Sequence, residues 1–186
     1  ELDSLADCVT FGVAPSAMLF SLFSKVAYPS LMANEFVFEV MPFTAFLMAA
    51  FSALRLAKFN IDERQHTGFI GMPTPANAIF WGALIASSEE WLTGPRFNAF
   101  FLFLFMMLFC WLLVCEVPMF AFKSLSWKKE KVKFLFLGLS AVILVVGAIS
   151  GVAEGNVWIG LIRGVAECIG LYVVMSILAS VLPGKE

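Results

Sequence analysis

The chain has 186 residues, of which 61% are hydrophobic, and its mean hydropathy is +0.91. Soluble domains usually contain about 45–50% apolar residues, so this composition argues against an ordinary soluble domain and for burial in lipid. The net charge of −2 is small, and the basic residues form no stripe interleaved with aromatic residues, which argues against nucleic-acid binding. The four cysteines include no C-x-x-C pair, and neither a disulfide nor a Cys-metal site is predicted.

Long hydrophobic runs predict six membrane-spanning helices, since one span needs about 20 apolar residues. The first residue is Glu1, and we expect an amino-terminal part to be missing. No linker separates the runs, which predicts an all-α, polytopic transmembrane bundle forming a single membrane-embedded domain over 1–186. The predicted spans are about Leu5–Phe23, Phe36–Ala57, Ala76–Trp91, Phe97–Phe122, Phe134–Val152 and Val157–Leu182.

Proline and turn residues punctuate these runs. Thr74 is expected to cap the third helix, with Pro75 in its first turn. Pro118 lies inside the fourth run and is expected to kink it.

The distribution of Lys and Arg predicts the orientation of the bundle, because cytoplasmic connections carry an excess of both. With six spans, only Lys25 and Arg96 fall on one side, and Arg163 lies within the last span. The other side is therefore predicted to face the cytoplasm at the cell (inner) membrane, and it includes the amino terminus. Its basic residues are Arg55, Lys58, Arg64, Lys123, Lys128, Lys129, Lys131, Lys133 and Lys185.

Asp3 and Asp7 are four residues apart, so their carboxylates share one face of the first helix. One interpretation is that both favour the positive start of the helix. The other is that a divalent cation neutralises both and accepts their oxygens. The spacing alone does not favour either interpretation.

Arg55 and Lys58 lie three residues apart at the predicted cytoplasmic end of the second helix, and Asn60 follows them. The two basic side chains could snorkel to lipid headgroups. Alternatively, they could clamp a phosphate, to which Arg offers two parallel hydrogen bonds. Asn60 could line the same cavity.

Other ionisable residues have weaker interpretations. Arg163 and Glu167 are four apart within a span, which favours an intramembrane ion pair over a ligand or oligomer contact. Glu116 is a carboxylate in an apolar run with no evident role. His66 is interpreted as a solvated loop residue, since one histidine does not make a zinc site.

Four segments carry a resemblance to a known family. Glu1–Asp7 resembles the end of the CDP-alcohol phosphatidyltransferase signature, D-x2-D-G-x2-A-R-x8-G-x3-D-x3-D, with only its last two aspartates present. Three further segments resemble the phosphatidylserine synthase branch of that family: Cys8–Pro15, Ala53–Asn60 and Phe69–Asn77. The resemblance covers roughly residues 1–90, and about 97–186 is less specific.

The resemblance implies transfer of a phosphatidyl group from CDP-diacylglycerol to L-serine, releasing CMP. It implies Mg²⁺ or Mn²⁺ as cofactor, with Asp3 and Asp7 as metal ligands and Asp7 also as general base. Arg55, Lys58 and Asn60 are the candidate substrate-binding residues. Half of the metal site would lie upstream, so this chain alone is expected not to turn over. The resemblance also suggests a homodimer in the membrane lipid.

Three alternatives remain. The enzyme could use another acceptor, such as glycerol phosphate or inositol phosphate, although the sparse basic residues mildly favour serine. A small transporter would need polar groups near mid-membrane on several helices. A purely structural membrane protein would leave the matched aspartates and the Arg55–Asn60 stretch without a reason.

Overall fold

The computed structural model describes residues 2–30, 34–61, 69–119 and 131–181, and this part of the chain forms a bundle of six helices. The predicted all-α transmembrane bundle is thereby confirmed. By length and hydropathy, α1, α2, α5 and α6 could each cross a membrane, and α4 is a shorter apolar helix. The helices are α1 Leu2–Phe23, α2 Glu35–Ile61, α3 Thr74–Leu92, α4 Ala99–Val114, α5 Lys131–Ala153 and α6 Val157–Val181.

The fourth helix is shorter than its hydrophobic run. It ends at Val114, and Cys115 is already extended, with φ −63° and ψ 158°. The expected kink at Pro118 is wrong, because Pro118–Met119 forms a strand, β2. This strand pairs antiparallel with β1, Phe69–Ile70, so the chain after α4 satisfies its backbone by strand pairing.

The first two helices each change their winding partway along. In α1, Val9–Val13 forms a π-helical segment. In α2, Met41–Phe46 forms a 3₁₀ segment, where Pro42 removes one backbone donor. Gly12, inside the π segment, lets α1 approach α2 closely, since a Cβ there would lie 3.1 Å from the Ser52 Cβ.

Helix α3 begins at the residue that was expected to cap it, one position earlier than predicted. Thr74 is the first helical residue and is not the cap; Pro73 precedes the helix in an extended conformation, with no side-chain cap hydrogen bond. Pro75 lies in the first turn, as expected. The Pro73 carbonyl accepts the first backbone hydrogen bond, from Asn77 N at 3.1 Å.

Aromatic side chains join α3 to α4 in the core. The Phe80 and Phe109 rings stack with centroids 4.3 Å apart, and Trp81 meets Phe105 and Phe109 edge-on. Trp81 is fully buried. In lipid such van der Waals packing drives helix association, because there is little hydrophobic gain between apolar helices.

Glycines bring α5 and α6 into backbone contact. A Cβ on Gly147 would lie 2.6 Å from the Gly160 carbonyl oxygen, and one on Gly151 would lie 2.8 Å from the Asn156 oxygen. Helix α6 then packs on α3. Much of the α5 surface is apolar and exposed, including Val142 and Val145, as expected for a lipid-facing helix.

Ion pairs hold the end of the bundle where α1 finishes. The Lys25 Nζ donates to Glu89 at 2.5 Å, joining α1 to α3. The Arg163 guanidinium donates two hydrogen bonds to Glu154, at 2.8 and 2.9 Å. Arg163 was expected to pair with Glu167. Its hydrogen-bonded partner is instead Glu154, in the turn between α5 and α6. These hydrogen bonds hold the pKa of Glu154 below its usual range.

Candidate active site

A cavity of about 170 Å³ lies at the opposite end of the bundle, where α1 and α3 begin and α2 ends. Three segments of sequence that are far apart meet there, and β1 closes one side. The cavity is lined by Asp3, Ser4 and Asp7 from α1, by Arg55, Leu56, Phe59 and Asn60 from α2, by Phe69 from β1, and by Pro73, Thr74 and Pro75.

The two predicted acidic residues both line this cavity. Asp7 is half-buried one helical turn below the exposed Asp3. The π segment begins shortly after Asp7, and Gly12 within it packs against Ser52 of α2. This close packing brings the start of α1 beside the end of α2, so both carboxylates share the cavity with Arg55.

Arg55 supplies the basic group of the cavity. Its side chain is only 3% exposed, and its guanidinium carbon lies 5.4 Å from the centroid of the Phe59 ring. Arg is rarely so buried unless it is paired. The start of α3 adds the positive end of a helix dipole to the same cavity. The site therefore combines carboxylates, which suit a cation, with positive groups, which suit a phosphate or carboxylate.

Asn60 and Ser4 connect the two helices at the mouth of the cavity. Asn60 Nδ2 donates to Ser4 Oγ at 3.2 Å, and the Asn60 side chain is exposed. The predicted Asn60 is therefore placed where a substrate from the water phase could meet it.

The structure does not bring Lys58 into the cavity with Arg55. Lys58 Nζ donates to the Val114 carbonyl at 3.2 Å and lies 3.4 Å from Glu116 Oε1. Glu116, which had no evident role, thus has an ion-pair partner at this end of the bundle. His66 lies outside the described residues, as do Asp62 and Arg64.

Several residues that line the cavity were not predicted as site residues. Ser4 lies between the two aspartates, and Phe69, Pro73 and Thr74 belong to the Phe69–Asn77 stretch. The signal was present, because that stretch carried part of the family resemblance. In the structure, this stretch forms β1 and the start of α3, which together make one wall of the cavity.

The carboxylates of the cavity are suited to a divalent cation that also binds substrate phosphates. Within the described ranges, no three or more His, Cys, Asp or Glu side chains are placed to hold a metal ion. Mg²⁺, however, is commonly bound by one or two carboxylates, with substrate phosphates and water completing its shell. Asp3 and Asp7 supply such carboxylate oxygens in one cavity, so the residues present fit this mode of binding.

Known proteins are similar to this chain over more than the four segments that carry the family resemblance. A CDP-diacylglycerol–serine O-phosphatidyltransferase of Helicobacter pylori strain J99 is 34% identical over 153 residues, covering 77% of this chain and 57% of that protein. One of Bacillus subtilis is 40% identical over 79 residues, covering 40% of this chain and 37% of that protein. One of Methanocaldococcus jannaschii is 38% identical over 79 residues, covering 42% and 32%.

The chain thus spans less than two thirds of the length of these curated relatives. No family model matches the chain, and no solved structure gives a significant match. All three relatives are nevertheless the same kind of enzyme by name, and the longest of these matches extends well past the first 90 residues. Over 77% of its length, the chain is therefore similar to a CDP-diacylglycerol–serine O-phosphatidyltransferase, the enzyme type also called phosphatidylserine synthase.

Proposed function

We propose that the protein transfers the phosphatidyl group of CDP-diacylglycerol to L-serine, giving phosphatidylserine and CMP. The observation that carries the proposal is the meeting of Asp3, Asp7 and Arg55 in one cavity at the end of a membrane bundle. Relatives from three organisms that are named for this reaction support the same function.

Asp7 is the proposed general base. The hydroxyl of serine is a poor nucleophile until a positioned group takes its proton. In the proposed reaction, the serine oxygen forms a bond to the phosphorus that carries diacylglycerol. The bond from that phosphorus to the bridging oxygen of the diphosphate breaks, CMP leaves with its electron pair, and the Asp7 carboxylate receives the serine proton.

The remaining residues are proposed to stabilise the negative charge on the diphosphate of CDP-diacylglycerol. Arg55 can donate two parallel hydrogen bonds to a phosphate or to the serine carboxylate. Asp3 and Asp7 would hold Mg²⁺ or Mn²⁺, and such an ion, when bound, stabilises charge on transferring phosphoryl oxygens. Asn60, exposed at the mouth, is proposed to contact the polar parts of the substrates.

The location of the cavity suits one lipid substrate and one water-soluble substrate. A site at the ends of membrane helices is accessible to the headgroup of a lipid and to solutes. From the distribution of Lys and Arg, we propose that this end faces the cytoplasm from a cell membrane. We also propose that the protein forms a homodimer within the bilayer.

The experiment measures product formation by the full-length protein in membranes. Radiolabelled CDP-diacylglycerol is supplied with serine, glycerol phosphate or inositol phosphate, and the phosphatidyl product and CMP are quantified. We expect phosphatidylserine as the main product. Asp7→Asn is expected to lower its formation by about 10²–10⁴-fold, the usual contribution of a general base.

Controls separate chemistry from folding. Glu90→Gln removes an exposed carboxylate at the opposite end of the bundle and should keep wild-type turnover. EDTA should abolish turnover, and Mg²⁺ or Mn²⁺ should restore it. Near-normal turnover of Asp7→Asn would remove Asp7 from the mechanism, and preferred use of a phosphorylated acceptor would replace serine.

A further inference from the structure

The end of helix α4 is capped by another part of the chain. The last four carbonyls of a helix have no partner within it. Here the Leu112 carbonyl accepts a hydrogen bond from Met72 N at 2.8 Å, and the Val114 carbonyl accepts one from Lys58 Nζ at 3.2 Å. Both donors belong to the segments that flank the connection between α2 and α3.

Gly71 lets the backbone just before α3 lie directly on the end of α4. Its φ is +75°, in the left-handed region that favours glycine. A Cβ there would lie 2.8 Å from the Cys115 carbonyl oxygen and 2.9 Å from that of Leu113. Gly71 N also donates to the Val117 carbonyl at 2.9 Å, which continues the pairing of β1 with β2.

These anchor points alternate along the chain with residues that line the cavity. Phe59 and Asn60 directly follow Lys58. Phe69 precedes Gly71, and Pro73 follows Met72 directly. The end of α4 therefore holds the backbone that forms one wall of the candidate active site.

We infer that Lys58 is a positioning residue, which fixes this wall by binding the end of α4 and does not contact substrate. The inference deepens the proposed function and depends on it. Lys58 does not line the cavity, and its ammonium group lies between the Val114 carbonyl and the Glu116 carboxylate. The Glu116 carboxylate is anionic, and the Val114 carbonyl lies at the negative end of the α4 helix dipole, so both attract the ammonium group.

Gly71 belongs to the same set of contacts between the end of α4 and the wall of the cavity. A side chain at this position would have to move the carbonyls at the end of α4, because backbone atoms and not flexible side chains surround it. Among the described residues, the end of α4 thus meets the wall of the site at Lys58, at Gly71 and at Met72. The Phe-rich sequence of α4 gives no sign of this role.

The test compares Lys58→Met, Lys58→Arg and wild type in the purified full-length protein. Initial rates against CDP-diacylglycerol and against serine give kcat and KM. Hydrogen–deuterium exchange, measured without substrate, follows the amides of Gly71 and Met72. We expect Lys58→Met to lower kcat about 10-fold with KM changed less than about twofold, since small misplacement of a site mainly affects turnover. Exchange at both amides should accelerate, and Lys58→Arg should restore both readouts.

Lys25→Met is the matched control, because it breaks a Lys–Glu pair at the other end of the bundle. It should leave exchange at Gly71 and Met72 unchanged. Unchanged exchange in Lys58→Met, or unchanged kcat despite faster exchange, would overturn the inference. A rise in KM alone would make Lys58 a substrate ligand and would overturn it too. If wild type forms no phosphatidyl product, the proposed function fails, while the exchange comparison still decides whether Lys58 holds the wall.

Discussion

Arg55 is the most deeply buried charged side chain of the candidate site, at 3% exposure. Burying a charge is costly unless it is paired and hydrogen-bonded. Such a residue is retained most readily where its partners are anionic. The acidic residues and the anionic substrates proposed for this cavity are partners of that kind.

Arg55→Lys tests the proposed contact with a substrate. Lysine keeps the charge but lacks the planar fork that binds two oxygens together. We expect kcat/KM to fall by about 10- to 100-fold, which is the range for losing a hydrogen bond to a charged group. The KM that rises, for CDP-diacylglycerol or for serine, would identify the group that Arg55 binds.

A thermal unfolding measurement accompanies this variant. Arg55 also packs over Phe59, and a large loss of stability would give lower activity for a different reason. An unchanged melting temperature with unchanged kcat/KM would show that Arg55 contacts neither substrate.

The site residues were predictable where one helix end determined their position. The distribution of Lys and Arg assigned the helix ends that carry Asp3, Asp7 and Arg55 to one side of the membrane, and these residues line one cavity. Lys58 was not predictable in this way. Its partners are the end of α4 and Glu116, which is 58 positions later, and local spacing contains no information about them.

At the scale of elements, the helices were predictable and one end was not. Long apolar runs predicted the six helices to within a few residues, because a span requires that length and hydropathy. The run after Val114 stays apolar, so hydropathy extended α4 too far. Its true end depends on pairing of Pro118–Met119 with Phe69–Ile70, a long-range contact.

The contact between α5 and α6 makes a prediction about stability. In Gly147→Ala the new methyl group would lie 2.6 Å from the Gly160 carbonyl, so the helices must separate. We expect a loss of about 1–3 kcal/mol, the usual cost of overpacking, observed as a lower melting temperature in detergent.

Gly138→Ala, on the same helix, is the matched control. A Cβ at Gly138 meets nothing within 4 Å. Alanine favours helix over glycine by about 1 kcal/mol, so this variant should be neutral or slightly more stable. Equal destabilisation by both substitutions would contradict the packing explanation.

At the scale of the whole molecule, the residues that line the cavity and the helices that pack around it come from different parts of the sequence. The segments that resemble the family in detail, within residues 1–90, supply all the described residues that line the cavity. The less specific later part supplies α4, whose end braces that cavity, and α6, which packs on α3. This division explains why the family resemblance lies in the first half of the sequence, whereas the helix bundle is built from both halves.

The 16 residues of α4 have a consequence for the surrounding bilayer. Such a helix is about 24 Å long, whereas the hydrocarbon layer is about 30 Å thick. Lipids next to a short helix compress, and this thinning draws their headgroups inwards. Phosphates of neighbouring lipids would thereby lie closer to the cavity that Asp3 and Asp7 line. We expect faster turnover in vesicles of short-chain lipids than in those of long-chain lipids, measured by CMP release at equal protein density. A rate that increased with acyl-chain length would contradict this mismatch.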